Sequence, residues 1–203
     1  MGDFRLWGSI LYSLLALRHV FATGLGKCPV YPRLPDFDIQ KMLGTWYEVE
    51  RSFYLMEMAA SCTQLNVELN ERGHLLITID TTNRWTGSAT RTRGVGVLSH
   101  AGASTFRYRV NSRVPYMIGR LLPGAGQYVV LDTDYDQFAL LWSCTSLTVA
   151  HSDRMWVLGR RRELGVRLRA RVYGALLDRG LDPDRLILSK NNHCIDYNTT
   201  SFN

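Results

Sequence analysis

Residues 65–79 read LNVELNERGHLLITI. Leu65, Val67 and Leu69 alternate with Asn66, Glu68 and Asn70, the period-two pattern of a strand with one buried face and one wet face. Glu71, Arg72 and Gly73 then make a turn. Leu75, Ile77 and Ile79 carry the same apolar face onward, so the stretch predicts a β-hairpin.

The same reading extends along the chain. Asn83 to Gly87 is a second break, followed by a strand from Ser88 to Leu98 with Arg91 and Arg93 on one face and Thr92, Gly94 and Gly96 on the other. Phe106, Tyr108 and Val110 alternate with Arg107, Arg109 and Asn111, and Pro115 and Pro123 bracket a glycine-containing loop. Tyr128 to Leu131 and Phe138 to Trp142 are apolar on both faces, which calls for a cover over their outer side. A last long strand runs from Arg154 to Gly159. The period then changes: Leu164, Leu168, Val172, Leu176 and Leu177 fall on one helical stripe, which Gly180 and Pro183 end. That helix is the natural cover, and Leu186 to Leu188 read as a short closing strand.

The predicted architecture is therefore all-β: an eight-stranded antiparallel up-and-down barrel with one C-terminal α-helix packed on its outside. Its inward set is Leu65, Val67, Leu75, Ile77, Ile79, Phe106, Tyr108, Val110, Tyr128, Val130 and Leu141. The presence of Gly94 and Gly96 among bulky neighbours favours a hollow interior. Such a pocket suits a ligand with a hydrocarbon body and one polar end, which Tyr108 and Tyr128 are placed to meet.

Composition agrees. The chain has 203 residues, 46% hydrophobic and 21% charged, with a net charge of +6. This is enough apolar content to offset chain entropy, and charges interrupt every stretch long enough for repeated membrane spans. Residues 1–26 read as a cleaved secretory signal: Arg5, then an apolar run from Leu6 to Leu17, then Val20, Phe21 and Ala22. Residues 27–203 form one domain. Removing the leader takes away Arg5, Arg18 and Asp3 and leaves +5. In a secreted chain Cys28, Cys62, Cys144 and Cys194 read as two disulfides, for which spacing allows three pairings. His74, His100, His151 and His193 are scattered, so neither a metal nor a cofactor is expected.

Three separated motifs carry a resemblance. They are Phe37-Asp38-Ile39 through Leu43-Gly44-Thr45-Trp46-Tyr47-Glu48; Leu131-Asp132-Thr133-Asp134-Tyr135 with Phe138-Ala139 and Ser143-Cys144; and Trp156-Val157-Leu158-Gly159-Arg160. In order and spacing the chain resembles the lipocalins, in particular their apolipoprotein D, Lazarillo-like and bilin-binding branch. The resemblance implies that Arg160 stacks on Trp46 at the closed end of the barrel, where a short turn carrying Phe37, Ile39 and Leu43 plugs it. Gly44, Thr133, Asp134 and Tyr135 belong to the same structural signature, which identifies a fold and not a cargo. The resemblance also implies the pairings Cys28 with Cys144 and Cys62 with Cys194. It implies a secreted, extracellular carrier of a small hydrophobic molecule, of fatty acid, steroid, retinoid or bilin class, with no catalysis. Some lipocalins are isomerases that use a thiol near the position of Cys62, and pairing would remove that nucleophile.

Other features qualify this picture. The loop from Ser52 to Ser61 holds Phe53, Tyr54, Leu55, Met56 and Met58, and the resemblance implies that it folds as a lid over the open end, facing Tyr116 across the mouth; membrane or receptor contact is the other use of so apolar a loop. Glu48 and Glu50 share the parity of Trp46; a buried acid pair could do acid-base chemistry, but strand curvature or a bulge that turns one outward, or an arginine that neutralises it, is expected. Arg160, Arg161, Arg162, Arg167, Arg169 and Arg171 read as a solvated face, with attachment to anionic lipid as the second reading. Nothing indicates a nucleic-acid partner, and oligomeric state is not legible. Asn198-Thr199-Thr200 is a glycosylation sequon, and no apolar stretch suggesting a lipid anchor follows it.

Overall fold

The computed structural model describes residues 24–32, 34–53, 58–100, 102–111, 125–146, 149–195 and 197. Tyr54, Met56, Tyr116, Asn198 and residues 1–23 of the leader lie outside the described residues. The strands are β1 (Gly24–Leu25), β2 (Gly44–Ser52), β3 (Ala60–Leu69), β4 (Leu75–Asn83), β5 (Ala89–Leu98), β6 (Thr105–Val110), β7 (Gly126–Thr133), β8 (Phe138–Ser146), β9 (Ala150–Gly159) and β10 (Leu186–Leu188). One helix, α1 (Val166–Leu177), lies between β9 and β10.

Strands β2 to β9 pair in sequence order, and β9 returns to β2, which closes an eight-stranded antiparallel barrel. Closure removes the exposed edges that an open sheet would present. The predicted hairpin at residues 65–79 forms, with Leu65 beside Ile79 and Val67 beside Ile77. At its turn the Asn70 Oδ1 accepts from the N–H groups of Arg72 and His74, and Gly73 takes φ +72°. The short β10 pairs with β2 through Leu186, Ile187 and Leu188.

By its internal contacts the chain forms two units, residues 1–30 with 144–153 and residues 31–143 with 154–203. In the smaller unit β1 pairs with His151 and Ala150, and Cys28 is bonded to Cys144. In the larger unit Cys62 is bonded to Cys194. Cys62 sits at a bulge between Ser61 and Gln64 with φ +54°, and its N–H donates to the Lys190 carbonyl. Both pairings are those that the resemblance implies.

Helix α1 covers the outer face of β2, β7 and β8. Val172 and Leu176 are fully buried. Arg179 donates to the Leu131 carbonyl, and Arg171 lies over the Phe138 ring, so the doubly apolar strands have the cover they require. Gly180, at φ +68°, ends the helix, and the Leu181 N–H reaches back to the Leu176 carbonyl. The sequence stripe needs two corrections. Leu164 precedes the helix, and Leu177 is 62% exposed, because a fifth apolar residue beside Leu176 rotates past the contact face.

The reading of the arginines as a solvated face also changes. Arg161 and Arg167 are exposed, but Arg169 bonds Glu50, Arg162 lies over Tyr47, and Arg160 lies over Trp46. Much of the basic run clamps helix and strand ends to the barrel.

Candidate ligand cavity

The closed end is built first by local rules. Asp38 caps a 3₁₀ turn, Ile39–Met42, by accepting from the Gln40 N–H at 3.0 Å. Phe37 and Met42 are thereby buried, and the Met42 carbonyl accepts from the Trp46 indole N–H at 2.8 Å. The turn between β7 and β8 uses the other motif. Asp134 Oδ1 accepts from the N–H groups of Gln137 and Phe138, and the Thr133 hydroxyl donates to the Phe138 carbonyl and accepts from the Tyr135 N–H. Tyr135 is held at φ +66°, and its hydroxyl accepts from the Asp38 N–H, which ties the turn to the plug. The Arg160 guanidinium lies 3.7 Å from the Trp46 ring centre. Burial lowers its pKa from the ordinary guanidinium value.

Above this floor the barrel is hollow, with a cavity of about 170 Å³. Of the inward set, Leu65, Ile77, Ile79, Phe106, Tyr108, Tyr128 and Leu141 line it. Val67, Leu75, Val110 and Val130 do not. They pack in the core with Trp46, Phe37 and Met42, which fill the lower barrel and leave only its middle open.

Gly94 and Gly96 do not make the hollow either. A Cβ on Gly94 would fall on the Tyr108 ring and the Arg109 carbonyl, and one on Gly96 would lie 3.2 Å from Leu75 and Phe106. The glycines let large side chains lie against the sheet, so their missing volume is spent on rings. Phe106 and Tyr128 stack with centroids 5.5 Å apart, and Trp156 lies 5.4 Å from Tyr128. Together these rings form an aromatic wall.

The facing wall is more polar. It carries Glu48, Arg51, Thr63 and Thr81. The register of β2 against β9 shifts between Glu48 and Glu50, so the expected bulge exists and separates the two acids. Glu48 stays inward, 3.6 Å from Arg51, and accepts from the Ser189 hydroxyl at 2.7 Å. Glu50 turns outward beneath α1, where Arg169 donates at 2.6 Å and the Tyr173 hydroxyl at 2.8 Å. Two separately paired carboxylates are not an acid-base dyad.

Tyr108 is 4% exposed, and among the described residues its hydroxyl has no hydrogen-bond partner. Burial alone pushes its pKa up to about 12. Thr63, Thr81, Trp156 and Leu158 also line the cavity and were absent from the sequence-derived set, although Thr63 and Thr81 continue the alternation of Leu65 and Ile79. Arg51 and Ala60 lie beyond the bulges in β2 and β3, where parity no longer tells inside from outside.

At the open end Phe53 follows β2 and is 59% exposed, and Trp85, in the turn after β4, is 66% exposed. The Arg84 guanidinium lies 5.2 Å from the Trp85 ring.

The floor, the closed barrel and the covering helix define the class. Residues 43–191 match the model of the lipocalin / cytosolic fatty-acid binding protein family, and the chain belongs to that family. It is 32% identical to apolipoprotein D of Cavia porcellus over 97% of this chain and 100% of the relative. It is 24% identical to the Lazarillo protein of Schistocerca americana over 76% of this chain and 70% of the relative. Among solved structures, insecticyanin of the tobacco hornworm Manduca sexta superposes with a TM-score of 0.68 at 18% identity, covering 87% of this chain and 90% of that one.

Proposed function

We propose that this protein is a secreted, non-catalytic carrier that binds one small lipophilic molecule in the barrel. The observation that carries the reading is the cavity of about 170 Å³ between an aromatic wall and a polar one, above a sealed floor. Apolar burial drives entry, at about 0.8 kcal/mol per methylene. Arg51, Glu48 and the threonine hydroxyls supply a polar end. The volume is close to the ~150 Å³ of a cavity that admits benzene and below the ~300 Å³ at which drug-sized pockets begin. Within the classes considered, that favours a slender hydrocarbon body, such as a fatty acyl or retinoid chain, over a tetrapyrrole. Cys62 is disulfide-bonded, so a thiol-dependent isomerase lacks its nucleophile.

Trp156 lines the cavity and reports on occupancy. Quenching titrations with fatty acid, retinoid, steroid and bilin, beside mass spectrometry of organic extracts, test the carrier. Saturable quenching that Trp156→Phe removes is the expected result; failure of all four classes to bind would overturn it.

The exposure of Phe53 and Trp85 at one barrel end supports a second reading, contact with a membrane surface or receptor. Vesicle binding by ligand-free protein that Trp85→Ala abolishes would favour that reading.

A further inference from the structure

On the outside of the barrel, strands β2 to β5 carry two polar rows in register. Tyr47 pairs with Gln64, Gln64 with Asp80, and Asp80 with Arg91. The next row is Thr45, Asn66, Thr78 and Arg93. With Arg162 and the segment at Cys194 they line an external groove of about 600 Å³.

The carboxylates in this groove are already engaged. Asp80 receives both arms of Arg91, at 2.6 and 2.9 Å, and Glu68 accepts from the Asn66 amide at 2.6 Å. Two guanidinium groups remain. Arg162 lies 4.4 Å from the centre of the Tyr47 ring and makes a long 3.5 Å contact to Gln64 Oε1, while its Nη1 is buried and among the described residues has no hydrogen-bond partner. Arg93 is exposed, and among the described residues none pairs with it.

A buried donor without an acceptor is uncommon in native proteins, and a bound ion is one way in which such a donor is satisfied. Here the donor is cationic, a second cation lines the same groove, and Gln64 accepts through Oε1 and so has its amide N–H groups left to donate. The planar N–H fork of arginine matches oxyanions. We propose that this groove is an oxyanion-binding site, separate from the lipophilic cavity, in which Arg162 and Arg93 hold the phosphate, sulfate or carboxylate group of a small polar ligand.

The test uses the full disulfide-bonded chain. Thermal shifts are measured against sodium sulfate, phosphate and acetate, with ionic strength held constant by sodium chloride, and the Gln64 side-chain amide is followed by NMR. Saturable stabilisation and Gln64 shifts are expected, weakened about tenfold in Arg93→Gln, the scale of one lost charge-assisted hydrogen bond, and lost in Arg162→Gln. Because Arg162→Gln also removes the contact with Tyr47, the exposed Arg93 is the decisive position. A response to sulfate and phosphate alone assigns a tetrahedral oxyanion, and a response to acetate alone assigns a carboxylate. The absence of saturation with any anion, equal affinity in Arg93→Gln, or shifts centred on Arg161 and Arg167 would overturn the proposal.

Discussion

Arg160 lies flat on Trp46, 3.7 Å from the ring centre, and from that position donates to the carbonyls of Tyr135, Thr45 and Lys41 at 3.0, 2.9 and 2.9 Å. One side chain thereby joins the end of β9 to the start of β2, the β7–β8 turn and the 3₁₀ plug. Gly44, next to this contact, takes φ +90°, a left-handed conformation that favours glycine.

Arg160→Met is expected to cost about 2–4 kcal/mol, the stack plus the carbonyl bonds. The check is a urea midpoint that falls with an unchanged slope. Arg160→Lys keeps the charge but not the fork and should recover less than half of the loss.

Gly94→Ala puts a methyl group where the Tyr108 ring now lies. The expected cost is about 1–3 kcal/mol of overpacking, together with altered quenching of Trp156 as the Tyr108–Tyr128 contact shifts. Wild-type stability and ligand affinity in this variant would refute the packing role given to the glycine.

The Tyr108 hydroxyl, without a partner among the described residues, predicts that Tyr108→Phe is neutral or stabilising by about 1 kcal/mol at pH 7, because a buried polar group that makes no hydrogen bond is removed. A drop in melting temperature would show that the hydroxyl has a structural role.

Alkaline stability follows from the same tyrosine and from Tyr173. Burial raises Tyr173 to about 12, assisted by its hydrogen bond to Glu50, and burial raises Tyr108 to about 12. Near pH 11 the unfolded tyrosines, with pKa ~10, have lost protons that the native ones keep, so stability falls as pH rises from about 10 to 12. Below about pH 10 neither group contributes a slope. Denaturation curves across this range should flatten in the Tyr108→Phe, Tyr173→Phe double variant.

Replacing Cys62 and Cys194 by serine opens a crosslink spanning 132 residues. A loss of about 2–5 kcal/mol is expected, read as a lowered melting temperature under non-reducing conditions.

Leu141 borders the hollow from β8. Leu141→Trp should fill it and weaken lipophilic ligand binding by about tenfold or more, since the displaced contact is worth roughly 1–3 kcal/mol. Unchanged affinity would place the ligand elsewhere.

Alternation made the barrel strands and the hairpin at residues 65–79 legible. Period two is a property of each strand by itself, so it survives without knowledge of neighbours. The three motifs made the floor legible, because Asp134, Thr133 and Asp38 act through hydrogen bonds within a few residues of themselves.

What only the tertiary structure decided lies where that local rule breaks. The bulges at Val49 and Cys62 shift parity, which brings Arg51 and Ala60 to the cavity and sends Glu50 under α1 to Arg169. The glycines of β5 looked like empty volume in the sequence, and only the approach of Tyr108, Phe106 and Leu75 shows that it is filled. The depth of the hollow depends on how far Trp46, Phe37 and Met42 rise from the floor. Each of these outcomes is set by packing between residues distant in the chain, and a pattern read along one strand does not contain it.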